Sequence, residues 1–63
     1  MPNVKIDMWP GKTDEEKENL IKGITKVFEE IDIKKEWVTI VINEIQPKNW
    51  GIHGELGSKI AKK

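Results

Sequence analysis

The chain has 63 residues, and its eleven basic and eleven acidic residues cancel to a formal net charge of zero. A domain of this size buries only about 60% of the surface that its unfolded chain exposes, so a lone monomer is marginally stable. The sequence has no cysteine and one histidine, which excludes disulfides, thiolate metal sites and a histidine metal site within one chain. We therefore expect a single domain over residues 1–63 that is stabilised by oligomerisation rather than by a metal.

The charge and hydropathy patterns argue against two kinds of partner. Basic and acidic residues are interspersed along the chain, and no basic stripe of the kind found in nucleic-acid-binding proteins is present. No apolar run approaches the roughly 18 residues that a membrane span requires. The first residues also lack the charged and apolar regions of a signal peptide. We expect a cytoplasmic protein without nucleic-acid or membrane partners.

The first predicted element is a strand over Val4–Trp9, because apolar residues at positions 4, 6 and 8 alternate with polar ones. The dipeptide Pro10–Gly11 then predicts a turn.

An amphipathic helix is predicted from Asp14 to about Ile31. Thr13 is a favourable N-cap, and Glu16, three residues later, completes a capping box. Gly23 inside the helix costs about 1 kcal/mol relative to alanine, which close packing against another backbone would explain. The apolar residues recur at helical spacing and form one stripe: Leu20, Ile21, Ile24, Val27, Phe28 and Ile31.

A second strand is predicted over Trp37–Ile45. Alternation places Val38, Ile40 and Ile42 on one face and positions 37, 39, 41 and 43 on the other, and both faces are largely apolar. Such a strand is typically covered on both sides. The glycine-rich segment that follows predicts turns and a short hairpin around residues 50–52. Residues 58–63 are expected to form a short helix or a disordered end.

The order strand, helix, strand predicts an α/β (α+β) fold in which a right-handed crossover helix makes the two strands parallel. Two strands are not stable by themselves, and open sheet edges invite pairing with another chain. We therefore expect symmetry mates to complete the sheet.

Pro2 is an unusual start for a strand, because proline lacks the N–H that a ladder needs. Initiator methionine is commonly removed before a residue as small as proline. Pro2 would then carry a secondary amine, which is basic and nucleophilic, at a fixed place on a rigid strand. The simpler interpretation is an incidental proline after a start codon.

Three features together resemble the 4-oxalocrotonate tautomerase family: Met1-Pro2, the run Gly11–Lys17, and Asn43-Glu44 followed by Trp50–Glu55. The resemblance extends over nearly the whole chain. It implies a β-α-β fold, a homohexamer built as a trimer of dimers, and interconversion of enol and keto forms without a cofactor. It also implies that the amine of Pro2 is the general base.

The same resemblance implies the substrate-binding residues. Lys12 lies where the best-known members carry an arginine, and would bind a carboxylate as a point charge; it could equally be a solvated loop lysine. Thr39 lies where the family has a second arginine, and it brings a hydroxyl but no charge. Trp50 and Ile52 match the apolar walls of the site, although Trp50 could instead pack the hairpin or a subunit contact.

Four further residues are interpreted as structural. Trp9 and Trp37 are expected to pack at interfaces, because tryptophan is enriched at protein–protein contacts. Glu44 is expected to make a structural hydrogen bond or salt bridge rather than to act as a general acid. His53 stands where the family frequently has glycine, and we expect it to be an exposed turn residue.

The leading hypothesis is a tautomerase that acts on a small 2-hydroxy-dienoate or 2-keto acid. A substrate with one carboxylate, or an aryl enol, suits a site with one cation and a large aromatic wall. Two alternatives remain: a related proline-dependent dehalogenase, hydratase or decarboxylase, and a non-catalytic homo-oligomeric module of the same fold. Thr39 is the residue that favours the module.

Overall fold

A computed structural model describes residues 1–60 of the chain. Its elements are strand β1 (Asn3–Met8), helix α1 (Asp14–Glu29), a 3-10 turn (Lys35–Trp37), strand β2 (Thr39–Glu44), a second 3-10 turn (Pro47–Asn49), strands β3 (Gly51–Ile52) and β4 (Glu55–Leu56), and the short helix α2 (Gly57–Ile60). β1 and β2 pair in parallel, and β3 and β4 form an antiparallel hairpin. The predicted β-α-β fold with a C-terminal hairpin is confirmed. Of the predicted helical or disordered end, residues 61–63 lie outside the described part.

The two long strands pair in register from Asn3 opposite Thr39 to Met8 opposite Glu44. Half-buried and exposed residues alternate along β1 and along β2 as far as Asn43, as the period-two pattern predicted. Met8 lines a groove together with Leu20 of α1, so the half-buried face is the one that the helix covers. The opposite face is open, and Val41 on it is exposed. The prediction that β2 is covered on both sides is therefore wrong for a single chain.

The start of α1 is fixed by the capping box that the sequence predicted. The backbone N–H of Glu16 donates to the Thr13 hydroxyl at 3.1 Å, and the backbone N–H of Thr13 donates to Glu16 Oε1 at 2.9 Å. This second hydrogen bond lowers the pKa of Glu16 below its ordinary value, and the nearby charge of Lys12 acts in the same direction. The carboxylate of Glu16 is thus committed to the helix start.

The end of α1 comes at Glu29, two residues before the predicted end. Asp32 adopts a left-handed conformation with φ of 68°. Around it, the backbone N–H of Ile33 donates to the carbonyl of Phe28, and that of Asp32 donates to the carbonyl of Glu29. This pair of bonds is the Schellman pattern, which satisfies the last carbonyls and turns the chain away from the helix axis.

β2 is shorter than predicted, because Trp37 lies in a 3-10 turn and not in the strand. The backbone N–H groups of Trp37 and Val38 donate to the carbonyls of Lys34 and Lys35. Donors used inside the turn cannot pair with β1, so the ladder begins at Thr39. β1 is displaced by one residue from its predicted bounds of Val4–Trp9. Its pairing with β2 ends where Ile45 N–H donates to the Met8 carbonyl.

The chain does not bury its apolar residues by itself. Among residues 1–60, no hydrophobic residue is fully buried; Val27 of α1 is 59% exposed and Ile31, just after the helix, is 63% exposed. The radius of gyration is 14.7 Å, whereas a compact domain of this length has about 11 Å. A Cβ on Gly23 would meet no atom within 4 Å, so the close packing proposed for this glycine is wrong within one chain. No helix among residues 1–60 is both long and apolar enough to cross a membrane.

Candidate active site

A groove of about 320 Å³ lies where β1 ends and α1 begins. Its wall consists of Met8 and Leu20 together with three charged residues, Lys12, Glu16 and Lys17. Glu16 is held by the helix cap. Lys17 Nζ lies 2.7 Å from Glu44 Oε2, at the end of β2. The groove therefore keeps one positive charge without an ion-pair partner in residues 1–60, the ammonium group of Lys12.

The ion pair of Lys17 with Glu44 has a second consequence. It joins α1 to the last residue of β2, and both side chains are about one-third exposed or less. The side chain of Lys17, which lines the groove, is therefore held in place. The interpretation of Glu44 as a structural partner is confirmed. Lys17 was not identified from the sequence, although it follows Thr13 by four residues and precedes Leu20 by three, a spacing that places the three on one side of the helix.

Two tryptophans connect the end of β1 with the residue that precedes the hairpin. The rings of Trp9 and Trp50 meet edge to face, with centroids 6.2 Å apart and an interplanar angle of 88°. Such a contact contributes about 0.5–1.5 kcal/mol beyond the area that it buries. Trp50 Nε1 is buried and has no hydrogen-bond acceptor among the residues that the structure describes. Ile52 is half-buried in β3 of the same hairpin.

Gly57 packs closely against both tryptophans. It is the one fully buried residue within the described range 1–60, and its N–H donates to the Trp50 carbonyl at 2.8 Å. A Cβ on Gly57 would lie 2.7 Å from the Pro47 carbonyl oxygen, 2.9 Å from Trp50 Cβ and 3.1 Å from the Trp9 ring. The first two distances are shorter than real Cβ contacts allow, so a side chain here would force residue 57 away from the Pro47 and Trp50 segment and would crowd the Trp9 ring.

His53 is exposed and forms the hairpin turn with Gly54. Both residues have positive φ, 52° and 79°, as a two-residue type I′ turn requires. Its place at the tip agrees with the expectation of a turn residue.

Pro2 and Thr39 meet at the other end of the sheet. The backbone N–H of Thr39 donates to the Pro2 carbonyl at 3.1 Å, which extends the parallel ladder by one bond beyond Asn3. Pro2 is half-buried, whereas Met1 is 89% exposed. Trp37 lies at this end too, and it is 49% exposed.

The predicted site residues thus form two groups within one chain. Pro2 and Thr39 lie where the strands begin, while Lys12 lies near Met8, where β1 ends. Trp50, and the hairpin that carries Ile52, contact Trp9 at that second end. Pro2 and Met8 are six residues apart on an extended strand, which corresponds to about 20 Å. A single chain does not bring the two groups together.

Comparison with known proteins agrees with this fold. The family model described as "Tautomerase enzyme" matches residues 2–60. The chain belongs to the tautomerase family. It is 33% identical over 63 residues to a 2-hydroxymuconate tautomerase of Pseudomonas putida, an alignment that covers 98% of this chain and 100% of the relative.

Solved structures of similar proteins support the same assignment. The tautomerase superposes on YwhB, a homologue of 4-oxalocrotonate tautomerase, with a TM-score of 0.84 and 29% identity, over 90% of this chain and 95% of that one. It superposes on a structure from work on trans-3-chloroacrylic acid dehalogenase activity with a TM-score of 0.80 and 36% identity, over 87% and 97% of the two chains. Tautomerases are isomerases, so the prediction of an isomerase is confirmed. The alternative of a non-catalytic module is set aside.

The Gly57 contacts generate a stability prediction. Gly57→Ala should lower the free energy of unfolding by about 1–3 kcal/mol, the usual cost of forcing an extra methyl group into a packed site. It should also change the near-ultraviolet circular dichroism of the tryptophans, because the added methyl group would displace Trp50 and crowd the Trp9 ring. Gly23→Ala is the matched control: nothing lies within 4 Å of its Cβ, and we expect stability to be unchanged or raised by up to about 1 kcal/mol. Equal effects of the two substitutions would contradict the packing assigned to Gly57.

Proposed function

We propose that this tautomerase interconverts the enol and keto forms of a small 2-hydroxy-dienoate or 2-keto acid, with the amine of Pro2 as general base after Met1 is removed. The observation that carries the proposal is the hydrogen bond from Thr39 N–H to the Pro2 carbonyl, which fixes Pro2 at the first position of the ladder. Met1 is 89% exposed, so its removal sacrifices little packing and frees the nitrogen at a defined place.

The chemistry needs a base that is unprotonated near neutral pH and still able to carry a proton. The Pro2 amine would take a proton from a carbon next to a carbonyl group and return it to another carbon or to oxygen. Partial burial and nearby positive charge both disfavour the protonated amine and lower its pKa. A base whose pKa lies close to the working pH is the most effective one. No cofactor is needed for this transfer.

Two copies of the chain are needed to complete the site. β1 pairs with β2 along one edge, and its other edge is available to a second copy. An antiparallel, two-fold arrangement across that edge would place the Pro2 end of one chain beside the Lys12 end of the other, and would form two equivalent sites. We propose that such dimers assemble further into the homohexamer, a trimer of dimers, that the family resemblance implies. The exposed stripe of α1 offers apolar surface for these contacts.

The groove residues favour a conjugated carboxylate as substrate. The Lys12 ammonium group would hold the carboxylate, and Trp50 and Ile52 would form the apolar wall against the unsaturated or aryl part. The Thr39 hydroxyl would donate to the substrate carbonyl at the Pro2 end. One cation in the groove suits a substrate with one carboxylate, such as phenylenolpyruvate, better than a dicarboxylate.

Dehalogenation of a small halogenated acrylate is the second candidate, and the 36% identity to the dehalogenase-related structure favours it. Addition of water to such a substrate needs a group that activates the water. In the groove, Glu16 is engaged by the Thr13 backbone, and Glu44, outside the groove lining, is paired with Lys17. Because both carboxylates are engaged, we rank tautomerisation first. Chloride release from trans-3-chloroacrylate, compared with phenylenolpyruvate turnover, distinguishes the two.

The base is tested by Pro2→Ala. In protein whose intact mass lacks Met1, the variant should ketonise phenylenolpyruvate at least about 100-fold more slowly than wild type, because general base catalysis contributes typically 10²–10⁴-fold. The decay of the enol absorbance in the ultraviolet measures the rate. Wild-type protein that retains Met1 is a second control and should be equally slow, since its Pro2 nitrogen is a tertiary amide. Equal rates for wild type and Pro2→Ala would remove Pro2 from the mechanism.

The carboxylate role of Lys12 is tested by Lys12→Met. We expect KM for phenylenolpyruvate to rise about 10- to 100-fold with a smaller change in kcat, because a charge-assisted hydrogen bond contributes about 1.5–3 kcal/mol. Lys12→Arg should retain a low KM, as the guanidinium group also binds carboxylates. Lys22→Met is the control: Lys22 is largely exposed and pairs with Glu18 along the helix, a contact of small energy. An unchanged KM in Lys12→Met would contradict the assignment.

Assembly of the site from two chains is tested by mixing. Pro2→Ala and Lys12→Met each impair both sites of a homodimer, but a mixed dimer regains one complete site. When equal amounts are unfolded together and refolded, half of the dimers are mixed, so about one quarter of the wild-type activity should return for a two-fold arrangement. Recovery no greater than the average of the two separate variants would mean that Pro2 and Lys12 act from the same chain.

A further inference from the structure

The open face of the sheet carries a second group of polar side chains near Pro2. On this face, Asn3, Lys5 and Asp7 of β1 lie opposite Thr39, Val41 and Asn43 of β2. Thr39 lies opposite Asn3, and Lys5 is the next residue of β1 on the same face. All of these residues are exposed. With strands about 4.8 Å apart and same-face neighbours about 6.7 Å apart, the Cα atoms of Lys5 and Thr39 are separated by roughly 8 Å.

Of the two charged residues on this face, Asp7 is hydrogen-bonded to a neighbouring side chain and Lys5 has no ion pair within residues 1–60. Asp7 Oδ1 accepts a hydrogen bond from Asn43 Nδ2 at 3.1 Å, so this carboxylate is engaged at the end of the strand away from Pro2. The ion pairs within residues 1–60 join Lys17 with Glu44 and Lys22 with Glu18, and neither includes Lys5. The ammonium group of Lys5 is thus available on the face that Thr39 shares.

Lys5 is also within reach of the Pro2 nitrogen. That nitrogen is a backbone atom at the start of β1, so it lies in the plane of the sheet and can be approached from either face. Three residues of extended chain place it about 10 Å from the Lys5 Cα. The flexible four-carbon stem of lysine covers more than half of this distance. The remaining space fits a carbonyl or enolate oxygen between the ammonium group and the Pro2 amine.

The geometry points to Lys5 as the second cation of the site, which stabilises negative charge on the substrate oxygen when Pro2 removes the proton. This inference rests on the proposed function. In the step, the C–H electron pair forms the carbon–carbon double bond of the enolate and the carbonyl π electrons move onto oxygen, while the proton goes to the Pro2 nitrogen. Return of the proton to another carbon reverses the electron flow, so no oxidant or reductant is involved. Thr39 contributes a neutral donor beside this charge.

Lys5→Met tests the inference. Removal of a donor from a developing oxyanion commonly slows catalysis 10²–10³-fold; because Lys5 is exposed, we expect kcat for phenylenolpyruvate to fall about 10- to 100-fold, with a smaller change in KM. The acidic limb of the pH–rate profile should move upward by about half a pH unit, because loss of a neighbouring positive charge favours the protonated Pro2 amine. A merely structural lysine would not move this limb. Lys5→Arg should keep both kcat and the profile close to wild type.

Lys35→Met is the matched control, since it removes a positive charge from the 3-10 turn that precedes β2 and not from a residue of the strand ladder. It should leave kcat and the pH profile unchanged. Mixing gives a further test: refolding Lys5→Met with Pro2→Ala should restore no activity above the average of the two, because Lys5 acts on the Pro2 of its own chain.

Three results would overturn the inference. They are an unchanged kcat and pH profile in Lys5→Met, equal losses in Lys35→Met, or recovery on mixing with Pro2→Ala. If wild type is active and Pro2→Ala is not, any of these removes Lys5 alone and leaves the proposed function intact. Absence of any Pro2-dependent turnover in wild type that lacks Met1 removes both.

Discussion

Parallel pairing of β1 with β2 determines where every candidate residue lies. The crossover helix returns the chain to the beginning of the sheet, so Thr39 comes to lie beside Pro2 and donates to its carbonyl. The same connection leaves the start of α1, with Lys12, at the far end of β1. An antiparallel pair could be joined by a short turn, whereas a parallel pair requires this separation. The distance of about 20 Å between the two groups is therefore a property of the topology and not of any loop.

In the assembly that we propose, folding and catalysis both depend on a second copy of the chain. One helix on two strands covers one face of the sheet, and no hydrophobic residue among residues 1–60 is fully buried as a result. A second copy that pairs along β1 would add strands to the sheet and, in the proposed arrangement, supply the half of the site that each chain lacks. The hairpin also has contacts within its own chain, because Trp50 packs on Trp9 and Gly57 packs against both rings.

Local patterns in the sequence predicted the elements well where one physical effect dominates. The capping box of Thr13 and Glu16 is a contact between near neighbours, and the alternation along β1 reflects a single burial preference; both are present. Trp37 was wrongly assigned to β2, because an apolar pattern cannot reveal that its N–H donates inside a 3-10 turn. The Trp9–Trp50 contact and the separation of Pro2 from Lys12 depend on how residues far apart in sequence are arranged in the fold. A pattern within a short stretch of sequence does not predict such distances.

The register of β1 and β2, rather than distance along the sequence, determines which charged side chains lie near Thr39. Thr39 has no charge, and along the sequence nothing near it on β2 replaces one. Across the ladder, however, Lys5 shares the face of Thr39 one step further along the neighbouring strand. The flexible stem of lysine lets its ammonium group reach a point several ångströms from its own Cα. Lys5 can therefore place a charge near Thr39 although it lies on the other strand. In the site that we propose, Lys5 on β1 therefore supplies the positive charge that Thr39 on β2 lacks, and this role depends on the register of the two strands.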